Sequence, residues 1–293
     1  MKFFRRHKGR ASYDLFSNYD HFLPGIGGMF GLAGLMILGT LLGALIMGGI
    51  KIFVPELPDY YGFLISYPMM FIPAMLYASS KSRFDENFTP GVKVDSNDNF
   101  GRLGGFAIAA IVSVATIAAA FMTDAINHFM PPMPDYLEQA LEGTLNAPLL
   151  ITLISVSVFA PFFEEWLCRG MILRGLIGRV GPTGAIIISA AFFALIHLNP
   201  WQAIPAFILG LLFGFVYYRT GSLKLTILMH CVNNTLAALL SKIPSIADAK
   251  SFLDVFSPWT YAGLFICCAA FLAATIVVLM NIPVNKNFIK DEA

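Results

Sequence analysis

Long apolar runs separated by short polar stretches dominate the chain, at about positions 25–54, 60–79, 104–123, 147–175, 183–199, 203–218, 223–240 and 258–281. A bilayer core of about 30 Å takes roughly 20 apolar residues of helix to cross, so the pattern predicts about eight spans. The runs are solidly apolar and do not alternate, which points to helices and excludes a spanning barrel. The expected fold is an all-α, polytopic transmembrane bundle, a single membrane domain over residues 1–293 with no internal repeat. Composition agrees: of 293 residues, 57% are hydrophobic and 13% charged, more apolar than one soluble core requires.

Charge adds orientation. Sixteen of the 19 Lys and Arg residues fall in one alternate set of loops and tails, and the other set holds only Lys51, Lys242 and Lys250. By the positive-inside rule both termini are expected in the cytoplasm, which requires an even number of crossings. The net charge of +1 is spread along the chain and makes no basic patch, so no nucleic-acid partner is expected. The basic amino terminus (Lys2, Arg5, Arg6, Lys8, Arg10) is like the start of a targeting signal, but the apolar run behind it is too long for a signal core and reads as a span. Cys168, Cys231, Cys267 and Cys268 lack zinc-ribbon spacing and are expected as small core hydrophobes. The stretch from Ser80 to Leu103 reads as a solvated connector. In the loop from Asp124 to Asn146, Tyr136 to Leu141 reads as a short amphipathic piece. Gly27 and Gly31, Gly39 and Gly43, and Gly210 and Gly214 are each four apart, a spacing expected where helices approach closely.

An ionisable group near the bilayer centre costs about 2.5–3.5 kcal/mol on insertion scales, so each one calls for a reason. The fourth run ends in Glu164-Glu165-Trp166-Leu167-Cys168-Arg169. Glu165 and Arg169 are four apart, share a helix face and are expected to form a structural ion pair. Glu164 lies about 100° round the helix, off the Arg169 face. It is either a protonated, hydrogen-bonded carboxyl or a functional base. Pro161 is expected to bend the helix just before this point. His197 ends the fifth run, as a boundary residue or a functional one. His230 and Asn234, four apart on the seventh, either bond between helices or offer donors toward one point.

Three motifs stand in order on three spans: Glu164-Glu165 with Arg169, Phe193 with His197, and His230 with Asn234. This set resembles the CPBP family, the CAAX proteases and bacteriocin-processing enzymes, which includes the type II CAAX prenyl endopeptidases. The resemblance covers about residues 148–240. It implies an intramembrane endopeptidase in which Glu164 acts as general base on a water, His197 holds and polarises that water, His230 and Asn234 form the oxyanion hole, and Glu165 and Arg169 support them.

A metal-free mechanism is expected, with no cofactor. The alternative is zinc at Glu164, His197 and His230, a donor set zinc accepts but without compact ligand spacing. Expected partners are membrane lipids and a protein or peptide substrate cut near the membrane, and the expected location is a bacterial plasma membrane. The competing class is a non-enzymatic polytopic membrane protein, a transporter or a partner-binding adaptor, though no inverted repeat marks a transporter.

Overall fold

The computed structural model describes residues 14–96, 99–139, 147–247, 249–285 and 288. The basic residues Lys2 to Arg10, the carboxyl-terminal Lys286 and Lys290, and residues 140 and 141 of the amphipathic piece lie outside the described residues. Every regular element among the described residues is helical. Among the described residues, seven helices are long and apolar enough to cross a membrane: α1 (Ile26–Phe53), α2 (Asp59–Asp85), α3 (Gly104–Phe129), α4 (Leu149–Leu195), α5 (Pro200–Thr220), α6 (Leu223–Leu240) and α7 (Pro258–Met280). The chain is an integral membrane protein by these helices. Large apolar side chains such as Ile37, Leu41 and Leu45 on α1 remain exposed, as a lipid-facing surface requires.

Helix α4 contains two of the predicted spans with no loop between them. The break is at Gly181, whose φ of 76° and ψ of 166° leave the helical region, followed by Pro182. Glycine tolerates the positive φ, and proline, lacking an N–H, starts the next rod without forfeiting a bond. The chain reverses there: Ser189 Oγ donates to Cys168 O at 2.7 Å, whereas 21 residues of straight helix would hold these groups about 31 Å apart. The bundle therefore has eight rods. At the next corner, Leu198 takes a φ of 57°, Asn199 Oδ1 accepts from Gln202 N, and Pro200 occupies the first turn of α5.

The first limb of α4 is the centre of the molecule. From Trp166 to Leu173 every residue is buried, so this stretch has no lipid-facing side. It is also not a plain α-helix: π-turns run over Leu153–Phe159 and Trp166–Leu173, with the α-helical Ala160–Glu165 between them. Pro161 stands at the first turn of the α-helical stretch, directly after a π-turn, and Phe159 and Ala160 before it keep helical φ and ψ.

Close packing explains two of the three glycine pairs. A Cβ on Gly39 would stand 2.4 Å from the carbonyl oxygens of Met69 and Met70, and one on Gly210 3.1 Å from Ala190. Gly27 and Gly31 face open space instead, so they are not contact positions in this chain. The cysteines are all free, and only Cys168 is fully buried. Cys267 is exposed, because α7 packs at the bundle edge.

The connector after α2 is exposed over most of its described length, as expected, except where it tucks against the bundle. Val94, Asp95 and Ser96 are buried. Asp95 pairs with Lys224 at 2.7 Å, Ser96 N donates to Gly221 O, and Tyr217 donates to Val94 O at 2.7 Å. Arg174 completes this end of the bundle by donating to the carbonyls of Tyr19, Asp20, Phe22, Val92 and Gly170. Asp20 sits beside it, and burial pushes its carboxyl above the usual range against the opposing pull of the Val94 N–H and the Arg174 charge. Both described ends of the chain meet this surface, as an even number of crossings demands.

Candidate functional site

Four of the six predicted site residues meet in the bundle centre. Glu164 and Glu165 end the short α-helical stretch of α4, 8% and 0% exposed. Arg169, one turn on, donates from Nη1 to Glu165 Oε1 at 2.8 Å and from Nη2 to Gly210 O at 3.0 Å. Its guanidinium lies 4.6 Å from the Phe193 ring and 5.4 Å from the Phe213 ring. The expected ion pair is present, fully buried on both sides.

Helix α6 brings His230 to the same place. Its Nδ1 lies 3.0 Å from Glu165 Oε1. A carboxylate that accepts from arginine has only lone pairs to offer, so Nδ1 carries the hydrogen and Glu165 fixes the ring. Nε2 then faces Glu164 Oε2 at 3.9 Å. That gap is too long for a direct bond. Phe193 packs edge-on against the imidazole, with centroids 5.3 Å apart.

Asn234 is placed by a backbone vacancy in α4. Ala160 N donates to Ser155 O, five residues back, and Pro161 has no N–H for Val156 O. Asn234 Nδ2 supplies that donor at 2.7 Å, one turn from His230 on the same face of α6. Its second N–H is left over, while Oδ1 accepts from Asn233 Nδ2 at 3.0 Å. Asn233 thus buttresses Asn234.

His197 stands apart. Its Nδ1 donates to Phe193 O at 2.8 Å, and its ring packs edge-on against the Phe193 ring, with centroids 5.1 Å apart. Phe193 therefore touches both histidines. No polar contact joins His197 to Glu164 or His230 among the described residues, and no three His, Cys, Asp or Glu side chains among them gather as a metal ligand set. Glu164, His197 and His230 do not stand together as a zinc ligand set in this arrangement.

One residue escaped the sequence reading. Tyr67, on α2, donates its hydroxyl to Glu164 Oε1. The only local signal was its place between Phe63 and Phe71 at four-residue spacing, which reads as core packing. With Tyr67 on one oxygen, Glu164 keeps Oε2 buried and without a hydrogen-bond partner among the described residues, and the same is true of Glu165 Oε2.

Residues 146–236 match the model of the type II CAAX prenyl endopeptidase Rce1-like family. This segment contains all the polar residues above except Tyr67. This match over under a third of the chain supports the resemblance to the CPBP family carried by the three motifs. The chain is also similar to a Bacillus subtilis (strain 168) protein named "Putative membrane peptidase YdiL", 26% identical over 106 residues. That similarity covers 36% of this chain and 43% of the relative, less than half of either. No solved structure matches.

Proposed function

We propose that this chain is an intramembrane endopeptidase in which Glu164 activates water. The observation that carries the reading is the facing pair of Glu164 Oε2 and His230 Nε2, 3.9 Å apart in a buried setting with both outer sides of the pair already anchored. In this reading Glu164 is the carboxylate base and His230, its Nδ1–H held by Glu165, donates from Nε2–H.

A water between them loses its proton to Glu164 as its oxygen attacks the scissile carbonyl carbon. The carbonyl oxygen takes up negative charge, stabilised by His230 Nε2–H and the remaining Asn234 N–H. Glu164 then passes its proton to the departing amine as the C–N bond breaks, leaving a new carboxylic acid and a free amine, which takes up the acid's proton on release. The family resemblance implies that His197 also holds the water, through Nε2, since its Nδ1–H is committed to Phe193 O. Glu165 and Arg169 orient His230 and do not touch the reacting atoms. The same reading puts both termini in the cytoplasm of a bacterial plasma membrane, with a protein or peptide cut near the bilayer as substrate.

The test is reconstitution of the full chain in liposomes with a pool of internally quenched peptides, each joining an apolar span to a soluble tail. Glu164→Gln and His230→Ala are each expected to lower cleavage by about 10²- to 10⁴-fold with the protein still folded. Wild-type cleavage by both variants, or none by the unaltered chain, removes the assignment and leaves a binding-only membrane protein.

A further inference from the structure

A carboxylate that works as a base must present one oxygen in a fixed direction, yet the terminal torsion of glutamate is broad and roughly two-fold. Glu164 has no cation on its own helix face to hold it, because Arg169 is committed to Glu165 and Gly210. What holds it comes from α2, 97 positions earlier and outside the segment that matches the family model. The Tyr67 hydroxyl donates to Oε1, and Oε2 is thereby turned toward His230.

The phenol is itself well held. Its ring stacks on Phe63 with centroids 4.7 Å apart and packs on Phe71 at 5.6 Å, and Phe71 stacks on Phe163 of α4 at 5.2 Å and 14°. This aromatic row locks α2 against the helix that bears the glutamates, so the hydroxyl reaches Glu164 from a rigid support. Without the hydroxyl, Glu164 is free to rotate and close the 3.9 Å gap to His230 as a direct ion pair. A closed pair has no room for the water that the reaction consumes.

We infer that Tyr67 is the positioning residue for Glu164, holding one carboxylate oxygen so that the other stays open toward His230. The inference rests on the peptidase reading and extends the working site to the α1–α2 hairpin. Tyr67→Phe keeps the ring and removes only the hydroxyl, so the fold is retained. In the liposome peptide assay, kcat is expected to fall about 10- to 100-fold, the range for losing a hydrogen bond to a charged group, with KM within about two-fold.

A second arm needs no turnover. In infrared spectra of the full chain in liposomes, the Glu164 carboxyl band is the one lost in Glu164→Gln, and it is expected to shift in Tyr67→Phe. An unmoved band, or a Tyr67→Phe chain with unaltered kcat, overturns the assignment of Tyr67. Absence of cleavage by the unaltered chain overturns the peptidase reading instead, and the band still reports on the Tyr67–Glu164 pair.

Discussion

Arg169→Ala isolates what the buried ion pair contributes to the fold. The guanidinium is 0% exposed, bonded to Glu165 and to the Gly210 carbonyl, and set between the Phe193 and Phe213 rings. Truncation leaves the Glu165 carboxylate buried with only the His230 N–H beside it, strips Gly210 O of its donor, and opens a cavity between two aromatic rings. Removing one partner of a buried pair costs about 3–5 kcal/mol, because the surviving charge is left uncompensated. Loss of the guanidinium from the rings adds to this in the same direction. Equilibrium unfolding in mixed micelles, followed by tryptophan fluorescence, reads the change, since Trp166 is fully buried three residues away. Protein yield and melting temperature should fall together. The double replacement Glu165→Leu with Arg169→Met should recover part of the loss, because it removes both charges and restores volume, though His230 then lacks its anchor. A fully stable but inactive Arg169→Ala chain, or a double variant no more stable than the single, refutes the structural reading and assigns Arg169 a direct chemical role.

Two further predictions test the packing around the site. Asn234→Leu leaves the Val156 carbonyl without its donor and should cost about 1–3 kcal/mol in the same unfolding assay; unchanged stability would mean that the π-turn does not depend on that bond. Gly39→Ala should lower the melting temperature, since its Cβ would meet two carbonyl oxygens at 2.4 Å, whereas Gly31→Ala faces open space and should be neutral or stabilising by up to about 1 kcal/mol. Equal effects at the two positions would sink the assignment of Gly39 as a contact point.

Features that depend on one helix at a time were legible in advance. The apolar runs located the rods, because the length of a bilayer crossing is set by rise per residue. Glu165 and Arg169 were readable as a pair, because residues four apart share a face whatever surrounds them. The polar residues on α4, just past its end at His197, and on α6 stood out because burial of such groups is costly. Other expectations failed, or held only in part, where the surroundings intervened. The segment from Ser80 to Leu103 has the composition of a solvated loop, yet Val94 to Ser96 are buried by the α5–α6 turn and Arg174. Gly27 and Gly31 have the same spacing as Gly39 and Gly43, but no helix lies across from them.

By itself, then, the order of residues determined that this is a helical membrane protein, where its rods run, and which carboxylate pairs with Arg169, since each follows from local periodicity and the price of burying charge. Tertiary structure alone decided that Tyr67 takes Glu164, that His230 Nδ1 turns to Glu165, that Asn234 fills the place Pro161 leaves open, and that Phe193 packs against both His197 and His230. These contacts depend on the rotation and depth of each rod against its neighbours, and a helical period of 3.6 residues leaves both free until the helices pack.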